Sequence, residues 1–350
     1  MFYLHQAVCI SPQKTFISFD PNLLEEPVGI KLEVIEPSYE GVPRNLLRRM
    51  GKAVRIGVGA CMPILRSAPG PVAGIIIGTA NGGTEDSFRF LEQIIEFDDG
   101  VLTPGNFVQS TSNAMASQLS MLDGNKGYNL THVHRGLAFE NAVLDAALLT
   151  GEDEQAWYVL AGVDEISSSN FTLDSLEGWY KKEHAAPGHF YDADSPGTIA
   201  GEGAAAFSVS RQRQNAIARV DALATLHSHE PALVRQRLDR FLKDHLPDGT
   251  AIDLLLSGEN GDCRLQKYYE ACEGGLSAGV SIARFKHLCG EYPTASSFAL
   301  WLACQLLSGA ALPGPMLKQG DPHQPFRKIL IYNHYKGAQH SFMLVSAVDR

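Results

Sequence analysis

Residues 128–167 read YNLTHVHRGLAFENAVLDAALLTGEDEQAWYVLAGVDEIS, and the succession of patterns in this stretch decides the architecture. An extended segment, YNLTHVHRG, gives way to an Ala/Leu-rich run of helical character over Leu137–Leu149, and then to the apolar strand Trp157–Ala161. Working outward, the same order recurs in SIARFKHLCGEYPTASSFALWLACQLL (281–307), which is followed by the strand Lys328–Tyr332. Upstream of each copy lies a strand with a glycine-containing turn, GIIIGTANGGTED (Gly74–Asp86) in the first and DLLLSGENGD (Asp253–Asp262) in the second. Repetition of pattern at this length predicts two duplicated α/β halves around a shared centre. The junction falls near Arg211–Asn215, giving halves 1–213 and 214–350.

Further strands are predicted at Val72–Ile77, Ala204–Ser208, Ile252–Leu256 and Phe342–Val345. Most of the strands are near-continuous apolar runs, as strands buried on both faces require. Helices are predicted at Arg44–Arg55, Thr84–Ile95, Asn113–Leu122, Cys263–Glu273 and Thr294–Leu307. The stretch Ser167–Thr198 is rich in Ser, Gly, Asp and aromatics and reads as a long excursion with little regular structure, placed to cover a site.

The 350 residues are 45% hydrophobic and 19% charged, an ordinary globular balance. Against 29 Lys and Arg stand 39 Asp and Glu, so the net charge is −10 and broad nucleic-acid binding is excluded. The six cysteines (Cys9, Cys61, Cys263, Cys272, Cys289, Cys304) form no CxxC pair, which predicts no zinc site and a reducing, cytoplasmic setting. No leader peptide and no membrane span is expected, because no apolar run approaches ~20 residues. TANGGTED lacks the P-loop ending and the GxGxxG spacing, so it reads as a tight turn, and His132-Val133-His134 has no further ligands to make a metal site. No cofactor is called for.

In order along the chain, RNLLRRMGKAVRIGVGA (Arg44–Ala60), TPGNFVQSTSNAMASQLSM (Thr103–Met121) with Asn113 at an asparagine position, VLAGVDEIS, PGTIAGEGAAAFSVS (Pro196–Ser210) and YNHYKGAQHSFMLV (Tyr332–Val345) resemble the β-ketoacyl synthases of fatty-acid and polyketide assembly. The resemblance implies the thiolase-like α/β fold, five layers in the order αβαβα. YNLTHVHRGLAFE is similar, more narrowly, to a subgroup from polyene and alkylresorcinol pigment clusters. There the nearest description is a chain-length-factor-like partner of a ketosynthase.

The resemblance also locates the centre. Ketosynthases carry a cysteine at the mouth of a buried helix, where dipole and free N–H groups stabilise a thiolate and an oxyanion. The family pattern places His134 there, with His132 or Val133 as the gapless alternatives. None is a cysteine, and a stable acyl-enzyme is not expected on an imidazole. His134 either orders the helix start or acts as a base. The family's His-Gly-Thr-Gly-Thr loop reads SGENGD, with Ser257 for the histidine, and its Lys-x-x-x-Gly-His motif reads KHLCGE, with Lys286 kept and Glu291 for the histidine. A carboxylate repels a developing enolate, so all three changes argue against the standard condensation. His132, Arg135, Asn113, Glu259, Asn333 and His334 are the remaining candidates, with Asn113, His132, Asn333 and His334 placed as substrate-binding. Lys286 and Glu291 stand close enough in sequence to neutralise each other. Cys289 is a weak candidate for a displaced nucleophile.

On a helix, Arg44, Arg48, Lys52 and Arg55 fall on one face, a stripe suited to docking an acidic acyl carrier protein or simply a solvated surface. The leading expectation is a non-condensing partner of an active ketosynthase, as a heterodimer or as a homodimer with itself. The alternative is an acyltransferase, decarboxylase or thioesterase that works on carrier-bound thioesters through His134.

Overall fold

The computed structural model describes residues 1–348 apart from 17, 98–99, 101, 103, 183–189, 192–193, 247–249 and 278. The first half runs β1 (Phe2–Ile10), β2 (Lys31–Leu32), α1 (Arg44–Leu47), α2 (Lys52–Ser67), β3 (Val72–Gly78), α3 (Thr84–Phe97), α4 (Pro104–Gln109), α5 (Ala114–Asp123), β4 (Tyr128–His132), α6 (Ala138–Glu152), β5 (Trp157–Asp164), α7 (Ser168–Leu176), β6 (Ala200–Gly201) and β7 (Gly203–Ser210). The second runs β8 (Ala218–His227), α8 (Pro231–His245), β9 (Leu254–Ser257), α9 (Gln266–Glu273), β10 (Ser281–Arg284), α10 (Lys286–Cys289), α11 (Ser296–Leu307), β11 (Leu317–Gln319), β12 (Lys328–Tyr335) and β13 (Gln339–Ser346).

The strand order exposes the duplication. One half is ordered β1-β7-β5-β3-β4 and the other β8-β13-β12-β9-β10. From the first strand outward, the pairing in each is antiparallel, antiparallel, parallel, parallel. The halves join where β1 runs antiparallel to β8, from Phe2 opposite Val220 to Leu4 opposite Ala218. β11 adds an antiparallel edge beside β10, and β2 and β6 form a separate short parallel ribbon.

The apolar runs are buried on both faces, as their lack of alternation demands. Ile76 points into a central core while Ile75 and Ile77 point into an outer one. Leu254 and Leu256 join the same central core, and Leu255 an outer core on the far side. α6 and α11 make up the middle layer, packing on strands of both halves and on each other. α2 and α5 cover one outer face, and α8 and α9 the other. These are the expected five layers, and α11 buries ten of its twelve residues accordingly.

Three local expectations need correction. The helix expected over Arg44–Arg55 breaks, with α1 ending at Leu47 and α2 starting at Lys52. The excursion after Ser167 opens with a helix, α7, whose Ser167 Oγ accepts the Asn170 N–H at 3.2 Å as an N-cap. Part of that excursion, 183–189 and 192–193, lies outside the described residues, as does Thr103. Strands β1, β8 and β10 and helix α8 were not anticipated; residues 211–217 link β7 to β8.

Candidate functional site

β4 ends at His132, and a single 3-10 turn, Arg135–Leu137, precedes α6. Arg135 has a φ of 48°, a left-handed conformation rare outside glycine. Gly136 follows, and its missing side chain matters, because a Cβ there would collide with the Cβ of Tyr335 at the β12–β13 turn. The closing hairpin therefore lies directly on the helix mouth. From it, buried Gln339 reaches back and its Oε1 accepts the Gly136 N–H at 3.0 Å. A backbone donor of the kind that stabilises an oxyanion is thereby occupied by the protein itself.

His134 is exposed, its Nδ1 3.2 Å from Asn141 Nδ2. Ser257 and Lys286 are fully buried. The expectation of an imidazole sequestered beside them is corrected: the chain leaves β4 through the exposed residues 133–135 before it turns inward. His132 is half-buried and its Nε2 lies 2.9 Å from Asp145 Oδ2 on α6.

Inside, Lys286 donates to Glu291 Oε1 at 2.6 Å, and Asn260 Nδ2 donates to Glu291 Oε2 at 2.8 Å. Both carboxylate oxygens are thus held, and the lysine charge is neutralised. Ser257 faces elsewhere, donating to Glu273 Oε1 at 3.4 Å. Glu273 and Glu259 share Lys318 at 2.9 and 2.5 Å, and Arg284 approaches Glu259 at 3.3 Å. So Ser257 and Glu259 belong to one ion network, and Lys286 and Glu291 to another. Asn333 and His334 are buried on β12, where the His334 ring stacks on Tyr269 with centroids 4.7 Å apart. Burial holds His334 well below the usual histidine range. Asn333 Oδ1, His334 Nε2 and Glu140 Oε2 have no hydrogen-bond partner among the described residues. Burial pushes the Glu140 carboxyl up, against the Ser341 hydroxyl, which donates to its Oε1 at 2.8 Å.

Asn113 has a stitching contact. Its Oδ1 accepts from Thr131 at 2.8 Å and its Nδ2 donates to Ser117 and Asn129, tying α5 to β4. Cys289 is buried, and burial drives its thiol above the usual range, which disfavours the thiolate that a nucleophile needs. The basic stripe is also corrected. Lys52 is paired with buried Glu202 at 2.5 Å, and Arg55 grips Glu36 through two bonds of 2.6 Å. Arg44 and Arg48 remain exposed, and Arg48 lines a cleft of about 440 Å³ together with Arg49 and Arg89.

α7 and Tyr180 form a roof beside the β12–β13 hairpin. Phe171 stacks on Tyr180 at 5.2 Å, and Lys336 of the hairpin pairs with Asp174 at 2.5 Å. Under this roof Tyr180, Glu291 and Tyr335 border two cavities of about 20 Å³ each, water-sized spaces. The sequence did not single out Gln339, Tyr335, Asn260 or Glu140. Only Glu140 carried a local signal, a carboxylate within the apolar run of α6.

No family model matches the sequence, and no curated protein matches it. Solved structures do match. A β-ketoacyl synthase from Burkholderia phymatum STM815 is 14% identical over 99% of both chains with a TM-score of 0.80. This chain has the thiolase-type fold of the ketosynthases. The ishigamide ketosynthase/chain length factor is 15% identical over 99% of both chains with a TM-score of 0.76. The ketosynthase ApeO in complex with its chain length factor ApeC, from Xenorhabdus doucetiae, is 12% identical with a TM-score of 0.76, covering 99% of this chain and 98% of that one. Within that fold, this chain has no cysteine between Cys61 and Cys263, a Gly136 amide capped by Gln339, and a buried Lys286 paired with Glu291. Among the described residues no helix is long and apolar enough to cross a membrane.

Proposed function

We propose that this protein is a non-condensing ketosynthase homologue that pairs with an active ketosynthase and sets product length, in the manner of a chain length factor. The chemistry would be fatty-acid or polyketide assembly of the aryl polyene or alkylresorcinol type, in the cytoplasm, with an acyl carrier protein as second partner. One observation carries this reading: the mouth of α6 is stoppered by Gln339 and Tyr335, and the space beneath the roof is water-sized. Condensation needs room for a thioester and a free donor for its oxyanion; here the Gly136 N–H is already taken and the two cavities that Tyr335 borders are water-sized.

The partner surface is the free edge of β4, the last strand of the sheet. Unpaired backbone groups there are a template for another strand. Leu130 and Val133 at this edge are 39% and 52% exposed, and Met121 and Leu148 nearby are 76% and 69% exposed. A homologous edge would extend the sheet across two subunits and cover them. For the carrier protein, the exposed Arg44, Arg48 and Arg49 supply positive charge on an otherwise acidic chain, whereas Arg89 in the same cleft is paired with Glu85 and Asp86 at 3.4 and 3.9 Å.

Co-expression with a cysteine-bearing ketosynthase from the same gene neighbourhood tests the role. A 1:1 complex by light scattering and a changed product length on deletion are expected; no complex and no change reject it. A thioesterase, decarboxylase or acyltransferase role through His134 is not favoured by its exposed setting. His134→Ala should leave complex formation and product profile unchanged, and loss of thioester turnover in that variant would restore the enzymatic reading.

A further inference from the structure

A second recess lies apart from the α6 mouth and shares none of its lining residues. It is a cleft of about 670 Å³ between the loop after β1, residues 35–42 and one face of α2. Phe16, Leu23, Ile35, Val42, Met62 and Pro63 give it an apolar floor and lips. That size and lining match small-molecule sites, which are mostly apolar with a few fixed polar groups.

One wall is held in a costly conformation. Tyr39 has a φ of 53°, which for an aromatic residue stores about 1–3 kcal/mol and persists only where its surroundings over-determine it. Here they do. The Tyr39 hydroxyl donates to Glu36 Oε2 at 2.5 Å, and Glu36 is gripped by Arg55. On the other side Gly59 is bare, and a Cβ there would collide with the tyrosine ring. Ion pair and glycine together fix the ring as a flat wall.

The rim carries one guanidinium without a carboxylate partner among the described residues, Arg66. Its Nη1 and Nη2 each donate to a backbone carbonyl, Glu40 at 2.8 Å and Gly41 at 2.7 Å. Those bonds hold the head in place while its full charge and remaining N–H groups stay available. Lys14 at the rim lies 3.5 Å from exposed Glu25. The rim also bears Glu40 and Asp20, which oppose a ligand of higher negative charge.

We propose that this cleft binds one amphipathic monoanion, a carboxylate whose apolar body lies on Val42 and Met62 and whose head meets Arg66. Titration calorimetry on the full chain, with decanoate and decanol as probes, tests this. Decanoate should bind at one per chain. Arg66→Gln should weaken decanoate at least tenfold and leave decanol unchanged. Ile35→Trp fills the cleft from a half-exposed position and should weaken both probes, and Leu23→Trp at another exposed lining position gives an independent closure if the first variant melts early. Failure of decanoate to bind the wild type, equal decanoate affinity in Arg66→Gln, or no effect of closing the mouth would each overturn the proposal.

Discussion

A lysine ammonium with no exposed surface must be paired or give up its proton, and Lys286 is paired. Its partner Glu291 is itself held by Asn260, so the charge is satisfied without any substrate. Glu291→Gln should therefore cost about 3–5 kcal/mol, the penalty of stranding a buried charge, read as a lower denaturant midpoint. Replacing both residues by apolar ones should recover most of that loss. A second test is Glu165, whose carboxyl burial pushes up to about 7, with Asp86 and then Glu202 adding repulsion. A raised carboxylate favours the folded state fully below its unfolded value near 4.5 and loses that advantage as pH rises through 7. Glu165→Gln should thus be more stable than wild type at pH 8–9, by at most about 3 kcal/mol, with the gain gone by pH 4.5. Melting curves across that range would show it, and a gain that grows at low pH would contradict the assignment. Residue identity was readable at Lys286 and Glu291 because both sit in one short motif. Gln339 was not, because its contact with Gly136 spans 203 positions and leaves no local pattern.

Elements were legible where burial is two-sided. The apolar runs of β3, β5, β7 and β12 announce themselves, whereas β8 mixes polar with apolar positions and β10 is only four residues long. The failure at Arg44–Arg55 has a local cause. Gly51 caps α2, its N–H held by Gln109 Oε1 at 2.5 Å, and a side chain there would strike Asp86. Periodicity of basic residues read through this break because charge spacing carries no information about where a backbone turns. β4 is the element on which the pairing role rests. Leu130→Lys places an ammonium on the free edge at a position 39% exposed, so the fold should tolerate it. Association with the partner should fall at least tenfold by pull-down or light scattering, with the melting temperature unchanged. An unaffected complex would move the interface elsewhere.

At the scale of the whole molecule, duplication was legible because each half repeats a strand, a turn and a helix in one order. What pattern alone could not supply is how far the halves depend on each other. The central core draws Phe139 and Ala146 from α6, Phe298 and Leu302 from α11, and strand residues from both sides. Asp164 adds a polar tie: its carboxylate accepts the N–H groups of Ala80 and Asn81 in the first half and of Thr294 in the second. Separating residues 1–213 from 214–350 would expose the apolar faces of both middle helices and strand that carboxylate's partners. Neither half should then be stable alone, and the intact chain should unfold in one transition. Trp157 and Trp301 stand in different halves, so single-tryptophan variants report on each. Coincident midpoints by both fluorescence signals and by far-ultraviolet dichroism are expected. Two separated midpoints would mean that the halves are independent domains, and the shared core would then contribute little to holding them together.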